Sequence, residues 1–422
     1  MASRVRAVRA AIVASGSELV RGDRHDRNGP FLASSLLLHG VDPARITVVG
    51  DDPADLEQAL REGLGYDLLV VSGGLGPTHD DRTIELLAQA AGVELYVSEE
   101  LREAIEELSR RVAARLNRPY VDFAAGVTKQ ATLPDGATWI GLVGTAPAVV
   151  LETGGALVVA LPGPPRELQQ LWPRVLETAP VRRLLAGAHA PDRRVLRFFG
   201  VSESAVAGSL ARTGGDGDGV DVTICARDFE IHVDLFVQPG AETRADAIEQ
   251  ALVADSEAYL FSRAEVGTAE LVLGLLRDRG LTVATAESCT GGLVAVRLTD
   301  VPGSSDVFVG SLVAYSDEVK ATRLGVPREV LARFGAVSAE TAAAMAHGGR
   351  EQLGADVAVS VTGIAGPGGG TVEKPVGLVF LHAAGPMGER HLRFDFPGDR
   401  ETIRLRSAVA ALHLVRRLIT ET

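Results

Sequence analysis

Residues 281–292 read LTVATAESCTGG, and the fold of the surrounding chain turns on this stretch. Leu281 to Thr285 is a short apolar and β-branched run that suits a buried strand, Gly291-Gly292 breaks it, and Gly291 to Leu298 resumes with helical character. A strand handing over to a helix through a glycine-rich turn is the repeating unit of a parallel α/β sheet. At such a hand-over Ser288 is expected to project its hydroxyl into a cleft beside free backbone N–H groups.

Downstream the same rhythm continues. Thr268 to Arg279 precedes the stretch as a helix. Val307 to Tyr315 follows as a strand, Asp317 to Leu324 as a helix, and Ser338 as the N-cap of a helix through Leu353. Asp356 to Val361 is a strand ending at the second glycine-rich loop, Thr362 to Gly370. Val376 to Ala383 and His391 to Phe396 are further strands, and Glu401 to Ile419 is a closing helix. Upstream, strands are expected at 10–14, 45–49, 67–71 and 156–161, with helices at 30–39, 53–64 and 99–116. That pattern implies a mostly parallel sheet covered on both faces. From about Trp172 the pattern changes: strands at 193–199 and 230–237 and helices at 203–211 and 245–260 suggest a small α+β region. The expected organisation is an α/β domain over 1–171, an α+β middle domain over 172–263 and a second α/β domain over 264–422.

With 422 residues, 46% hydrophobic and 5% aromatic, the chain fits globular α/β architecture. A formal net charge of -13 argues against a general nucleic-acid binder, since phosphate neutralisation needs a basic surface. No apolar run is long enough to span a bilayer, and a cytoplasmic location is the expectation. The two cysteines, Cys225 and Cys289, form no CxxC or Cys/His cluster, so neither a disulfide framework nor a structural zinc site is indicated.

Serine is a weak nucleophile that needs a base, and a lysine with a depressed pKa can serve. Ser288 and Lys320 follow two successive strands and can meet at one sheet edge, with Tyr315 placed to relay a proton or orient the serine. Glycines let N–H groups approach an anion, so the second loop suits an oxyanion hole or a phosphate cradle, and Arg400 and Arg404 could pair with a phosphate. The residues alone leave a plain structural reading open: Ser288 as a helix cap, the glycines as turns, the arginines as solvated charges. Cys289 competes as nucleophile, but no histidine is placed to serve it. In the first third, SGGLGPTHDDRT (72–83) follows a strand in the same way, and Asp80 and Asp81 add hard oxygen ligands suited to a divalent ion.

The motifs AESCTGG (286–292), PGSSDVF (302–308), AYSDEVK (314–320), FGAVS (334–338), VTGIAGPGGGTVEKPVG (361–377) and PGDR (397–400) together resemble the C-terminal nicotinamide-nucleotide amidohydrolase domain of the CinA family. The resemblance implies hydrolysis of nicotinamide mononucleotide to nicotinate mononucleotide and ammonia without a cofactor. It implies Ser288 as nucleophile, Lys320 as base and Tyr315 assisting. Backbone groups near Thr290, Gly291 and Gly292 or near Thr362 and Gly363 would hold the oxyanion, and Arg404 with Arg400 the nucleotide phosphate.

The 72–83 motif, with GSELVRGD (16–23), Lys129-Gln130-Ala131, VGTAP (143–147) and LPGPPREL (161–168), resembles the CinA N-terminal domain, itself similar to MoaB/MogA-like molybdopterin-binding proteins. This implies hydrolysis of ADP-ribose to AMP and ribose 5-phosphate with a divalent metal ion. Matching residues are Glu18, Asn28, Gly73, Gly74, Gly76, Thr78, Asp80, Asp81 and Lys129, with Glu18, Asp80 and Asp81 on the metal. One departure is Ala148 after VGTAP, where many relatives have glycine and where a methyl could narrow the approach to a ligand; His79 has no family role. A pterin-like binding module without activity stays open for this half. A regulatory scaffold linked to competence or DNA damage stays open for the whole chain. The family also implies a homodimer with small-molecule nucleotides as partners.

Overall fold

The computed structural model describes residues 8–188 and 191–421, apart from the side chain of Asp122. The chain divides into two compact units at the Pro191/Asp192 junction. In the first, six strands stand in the order Asp42–Val49, Arg9–Ser15, Leu68–Ser72, Ala156–Leu161, Pro147–Thr153 and Thr138–Leu142. The first four are parallel, the fifth pairs antiparallel with the fourth, and the sixth antiparallel with the fifth. Alternation along the strands decides the layers. Ala11, Val13, Leu69 and Val71 pack with Leu56, Leu60, Leu86, Leu101 and Ile105 on one face. Ala10, Ile12, Leu68 and Val70 pack with Leu32, Leu36, Leu168 and Trp172 on the other. Both faces are therefore apolar and both are covered by helices, as the βαβ rhythm requires.

The helix that carries Trp172 spans Pro165–Leu176 and belongs to this unit. The Glu99–Arg115 helix buries Leu101, Ile105, Ser109 and Ala113. Its stripe thus follows the i, i+4 ridge, leaving Leu108 and Val112 at the flank.

The second unit holds two sheets. Four strands, Val220–Arg227, Glu230–Val237, Asp192–Phe198 and Leu260–Ser262, form an antiparallel sheet packed with the helices Glu203–Arg212 and Glu242–Ser256. Val220–Arg227 escapes a pattern reading because only Val220 is buried in it, so its alternation is mostly of polar against half-exposed residues. Five further strands stand in the order Phe308–Val313, Val283–Glu287, Val357–Gly363, Leu378–Gly385 and Gly388–Asp395. The first three are parallel, and the register pairs Glu287 with both Val313 and Val361. The carboxyl ends of these strands therefore release Ser288, the Ala314-Tyr315 turn and Thr362 at one sheet edge, where α/β sheets build their ligand clefts.

A buried polar knot ties the four-stranded sheet to the last helix, Arg400–Thr420. Glu230 accepts from His413 Nε2 at 2.8 Å, from His232 Nε2 at 3.1 Å and from the Thr268 hydroxyl. The fully buried His413 ring stacks on Phe199 at 3.8 Å. Burial, the largest influence, pushes His413 down to about 4 against the pull of Glu230. Burial also raises Glu230, but its three donors outweigh it and hold the carboxyl at about 2. Neutral His413 then donates from Nε2, which leaves Nδ1 as an acceptor without a partner.

Both groups bind protons less readily folded than unfolded, so both destabilise the fold as pH falls. His413 acts between 6.5 and about 4, and Glu230 between 4.5 and about 2. Melting followed by circular dichroism should show Tm falling continuously from pH 6.5 downward. Glu230→Gln should lower stability at pH 7 by about 1–3 kcal/mol and flatten the acid limb; an unchanged limb in that variant would refute the assignment.

Candidate functional site

The turn carrying Ser288 is held by the residue before it. Glu287 is fully buried, and its carboxylate accepts from the amides of Gly292 at 2.9 Å, Val294 at 3.1 Å and Ala295 at 2.9 Å. These are amides at the start of the Leu293–Thr299 helix, which lack partners within the helix. The chain can fold back onto Glu287 because Gly291 and Gly292 take φ of 63° and 97°, where side chains are disfavoured. Glu287 was missed in the sequence. Its only signal there is an acid at the end of an otherwise apolar strand.

Ser288 follows with 7% of its surface exposed, and its amide donates to Val361 O at 2.9 Å. Its hydroxyl makes no hydrogen bond among the described residues. Lys320 is 1% exposed; its Nζ donates to Tyr315 O at 3.2 Å and lies 4.0 Å from Asp317 Oδ1. Burial pushes the Lys320 amine below its usual range, opposed by Asp317 and by Cys289, whose charge state is felt at Lys320. The lysine therefore stands at the Ser288 turn as a desolvated amine, the state in which it can take a proton. The Cys289 thiol is pushed up to about 12, chiefly by burial, which makes it an inert sulfur beside the serine.

Tyr315 meets Lys320 through its carbonyl. Its phenol is exposed and accepts from Arg400 Nη2 at 3.0 Å. Arg400 also donates to Gly366 O at 2.8 Å, bridging the second glycine-rich loop to the tyrosine. Arg404 donates to Cys289 O at 3.2 Å and to Thr290 O at 2.8 Å. Each guanidinium has five N–H donors, so both arginines brace loops and keep donors for a ligand. Of the expected oxyanion donors, the amides of Gly291 and Gly292 are taken by Ser288 O and Glu287. The Cys289 and Thr290 amides bond no oxygen and lie towards the Cys289 sulfur. Thr290 Oγ1 is buried without a partner, and Thr362 Oγ1 is committed to Ala336 O at 2.6 Å. Gly363 closes its strand opposite Val379.

In the first unit, the strands ending at Ser15, Ser72 and Leu161 deliver three loops to one edge around a cavity of about 820 Å³. Asn28 Nδ2 joins two of them, donating to Ser72 Oγ at 2.8 Å and Gly163 O at 2.7 Å. Asn28 Oδ1 and Ser15 Oγ are buried beside the cavity without partners. Gly73, at φ 106°, is required here, since a Cβ would lie 2.2 Å from Ser15 O. Glu18, Gly74, Gly76, Asp80 and Asp81 line the same cavity. The Thr78 hydroxyl bonds the Asp80 carboxylate and, at 2.5 Å, Asp81, whose Oδ2 also takes the Thr78 amide at 2.9 Å. The Thr78 hydroxyl, followed by the backbone amide of Asp80 itself, holds the Asp80 carboxyl below the usual carboxylate range. Lys129 Nζ caps the turn on Thr78 O.

The two aspartates converge on one hydroxyl while Glu18 stays apart. Among the described residues no three acidic side chains at this cavity bring their oxygens within 4.8 Å of one another. Two carboxylates beside a wide cavity still fit a hard divalent ion, which keeps several waters and uses substrate phosphates as further ligands. Ala148 does not narrow the cavity: its methyl is fully buried in the core on the Pro147–Thr153 strand. His79 is fully solvated, 3.9 Å from Asp80. Glu167 was missed in the sequence; it lines the cavity, and burial raises its carboxyl.

No helix among the described residues is long and apolar enough to cross a membrane. Residues 266–419 match the family model described as the CinA C-terminal domain, and residues 11–181 that of a probable molybdopterin binding domain. A CinA-like protein of Mycobacterium sp. (strain MCS) is 44% identical over 98% of this chain and 99% of its own length. A CinA-like protein of Mycobacterium tuberculosis (strain ATCC 25177 / H37Ra) is 43% identical over 98% of this chain and 97% of its own. Among solved structures, the competence/damage inducible protein CihA from Agrobacterium tumefaciens is 45% identical, over 36% of this chain and 93% of that one, with a TM-score of 0.35. Two family models in order and full-length similarity at this level establish that the chain belongs to the CinA family.

Proposed function

We propose that the second unit hydrolyses the carboxamide of nicotinamide mononucleotide, with Ser288 as nucleophile and Lys320 as base. The observation that carries this reading is Lys320, a buried lysine whose amine is depressed by desolvation at the turn that presents a nearly buried serine. Lys320 Nζ takes the Ser288 proton as Oγ bonds the carboxamide carbon, and the carbonyl electron pair moves to the oxygen. The Thr290 amide, which bonds no oxygen, and its unpartnered hydroxyl are the donors the turn leaves for that charge. Collapse breaks the C–N bond and returns the proton from Lys320 to the leaving nitrogen, releasing ammonia. Water then attacks the ester, its proton passing through Lys320 back to Ser288. The hydroxyl and amine need not be bonded beforehand, since such pairs tighten when substrate fills the site. The N–H groups that Arg404 and Arg400 retain suit the substrate phosphate.

In the first unit, the reading is metal-dependent hydrolysis of the diphosphate of ADP-ribose, with Asp80 and Asp81 holding the ion and Glu18 facing it across the cavity. A bound divalent ion would neutralise the diphosphate and lower the pKa of a water. Lys129 and Asn28 position the loops, and the unpartnered Asn28 Oδ1 and Ser15 Oγ accept ligand N–H or O–H groups. The separation of Glu18 from the aspartate pair favours, as a second reading, a pocket that binds a phosphorylated ligand without cleaving it.

Ser288→Ala should reduce ammonia release roughly a thousandfold or more, and Lys320→Met comparably, with melting curves confirming that both variants fold. Normal turnover in either would sink the dyad. Because the base must be neutral, kcat/KM should rise with pH through a midpoint below the 10.5 of an ordinary lysine, and Asp317→Asn should move that midpoint lower still. A limb indifferent to Asp317 would assign it to another group. For the first unit, Asp81→Ala should abolish metal-dependent AMP release from ADP-ribose and leave ammonia release intact. A wild type that binds ADP-ribose without cleaving it would establish the binding reading instead.

A further inference from the structure

Away from both clefts, three side chains converge on the second unit. His347 comes from the Ala339–Leu353 helix, His382 from the Leu378–Gly385 strand and Glu389 from the Gly388–Asp395 strand. The antiparallel register sets His382 opposite His391, and Ala384 opposite Glu389. His382, Glu389 and His391 thus share one sheet face by period-two alternation. That face is the one covered by the helix, because Ser360, opposite His382, donates its hydroxyl to Ala342 O of the helix at 2.5 Å. His347 Nε2 lies 3.2 Å from Glu389 Oε1 and His382 Nε2 lies 3.1 Å from Glu389 Oε2. The three donor atoms fall within 4.8 Å of one another, and no other such His/Cys/Asp/Glu group occurs among the described residues.

We propose that His347, His382 and Glu389 form a binding site for one divalent transition-metal ion of the zinc type. Two imidazoles and one carboxylate are a donor set that such ions favour, with the remaining position left to water. At metal–ligand distances of about 2.0–2.1 Å a tetrahedral site has ligand–ligand edges of about 3.3 Å, close to both N···O separations here. His382 is nearly buried, so it is the fixed ligand. His347 and Glu389 are half exposed and can close the last few tenths of an ångström around an ion. The site would pin the helix to the edge hairpin, so its ion binds the folded chain alone and stabilises it. None of this depends on the activity proposed for either cleft.

The test uses the full chain stripped of metal, titrated with Co²⁺ as a spectroscopic probe and then with Zn²⁺ in competition. The expected result is one equivalent giving a visible absorption band of nitrogen–oxygen ligation, displaced by Zn²⁺. Binding should weaken at least tenfold in both His347→Ala and Glu389→Gln. Asp81→Ala should retain the band, which separates this site from the aspartate pair of the first unit. Zn²⁺ should raise Tm in the wild type and not in His347→Ala. No band and no Zn²⁺ uptake below about 1 mM free metal, or uptake and Tm shift unaltered in both ligand variants, would overturn the proposal.

Discussion

The buried Glu287 carboxylate, bonded to three amides at the start of the Leu293–Thr299 helix, is the constraint on which the rest of the second unit's cleft depends. A strand that ends in a side chain capping the following helix cannot drift from it, so Ser288 and Cys289 are held between two fixed points. Arg404 grips the same turn through the Cys289 and Thr290 carbonyls. The serine is thereby presented on a rigid corner, and rigidity of this sort is what a nucleophile must have when its base arrives from another element.

The first unit solves the same problem with different chemistry. Its loops are joined by Asn28, which donates to Ser72 and Gly163, and by the close approach of Gly73 to Ser15. A neutral amide bridging the loops leaves one acceptor facing the cavity, whereas Glu287 spends its oxygens on the helix. In the first cleft the negative charge stands at Asp80 and Asp81, near solvent. In the second the proposed base is a buried amine. The two clefts thus differ in their charge: exposed carboxylates in the first, a buried amine in the second.

Much of this was legible in the strand–turn–helix grammar. Residues 281–298 and 67–83 announced a parallel sheet with glycine-rich turns, because periodicity and glycine are local properties of the chain. Ser338 was legible as a helix cap for the same reason. The Val220–Arg227 strand was illegible because its residues are largely exposed, and hydrophobic alternation reports burial rather than strand geometry. The arginines illustrate a different limit. Arg400 and Arg404 read as phosphate ligands, yet each already holds loop carbonyls, since a guanidinium with five donors can brace and bind at once.

What the sequence determined by itself is the family, the α/β class, and the placement of Ser288, Lys320, Asp80 and Asp81 in the segments that follow strands. Tertiary structure alone decided which of these groups are dry, which are paired and which are free. Lys320 was already a base candidate in the sequence, but only the folded surroundings show that its amine is buried and depressed. The same holds for the knot of Glu230 and His413, 183 residues apart, and for the meeting of His347, His382 and Glu389. The physical reason is that desolvation and pairing are sums over everything that surrounds a group. Residue identity and periodicity, by contrast, are carried by the chain before it folds.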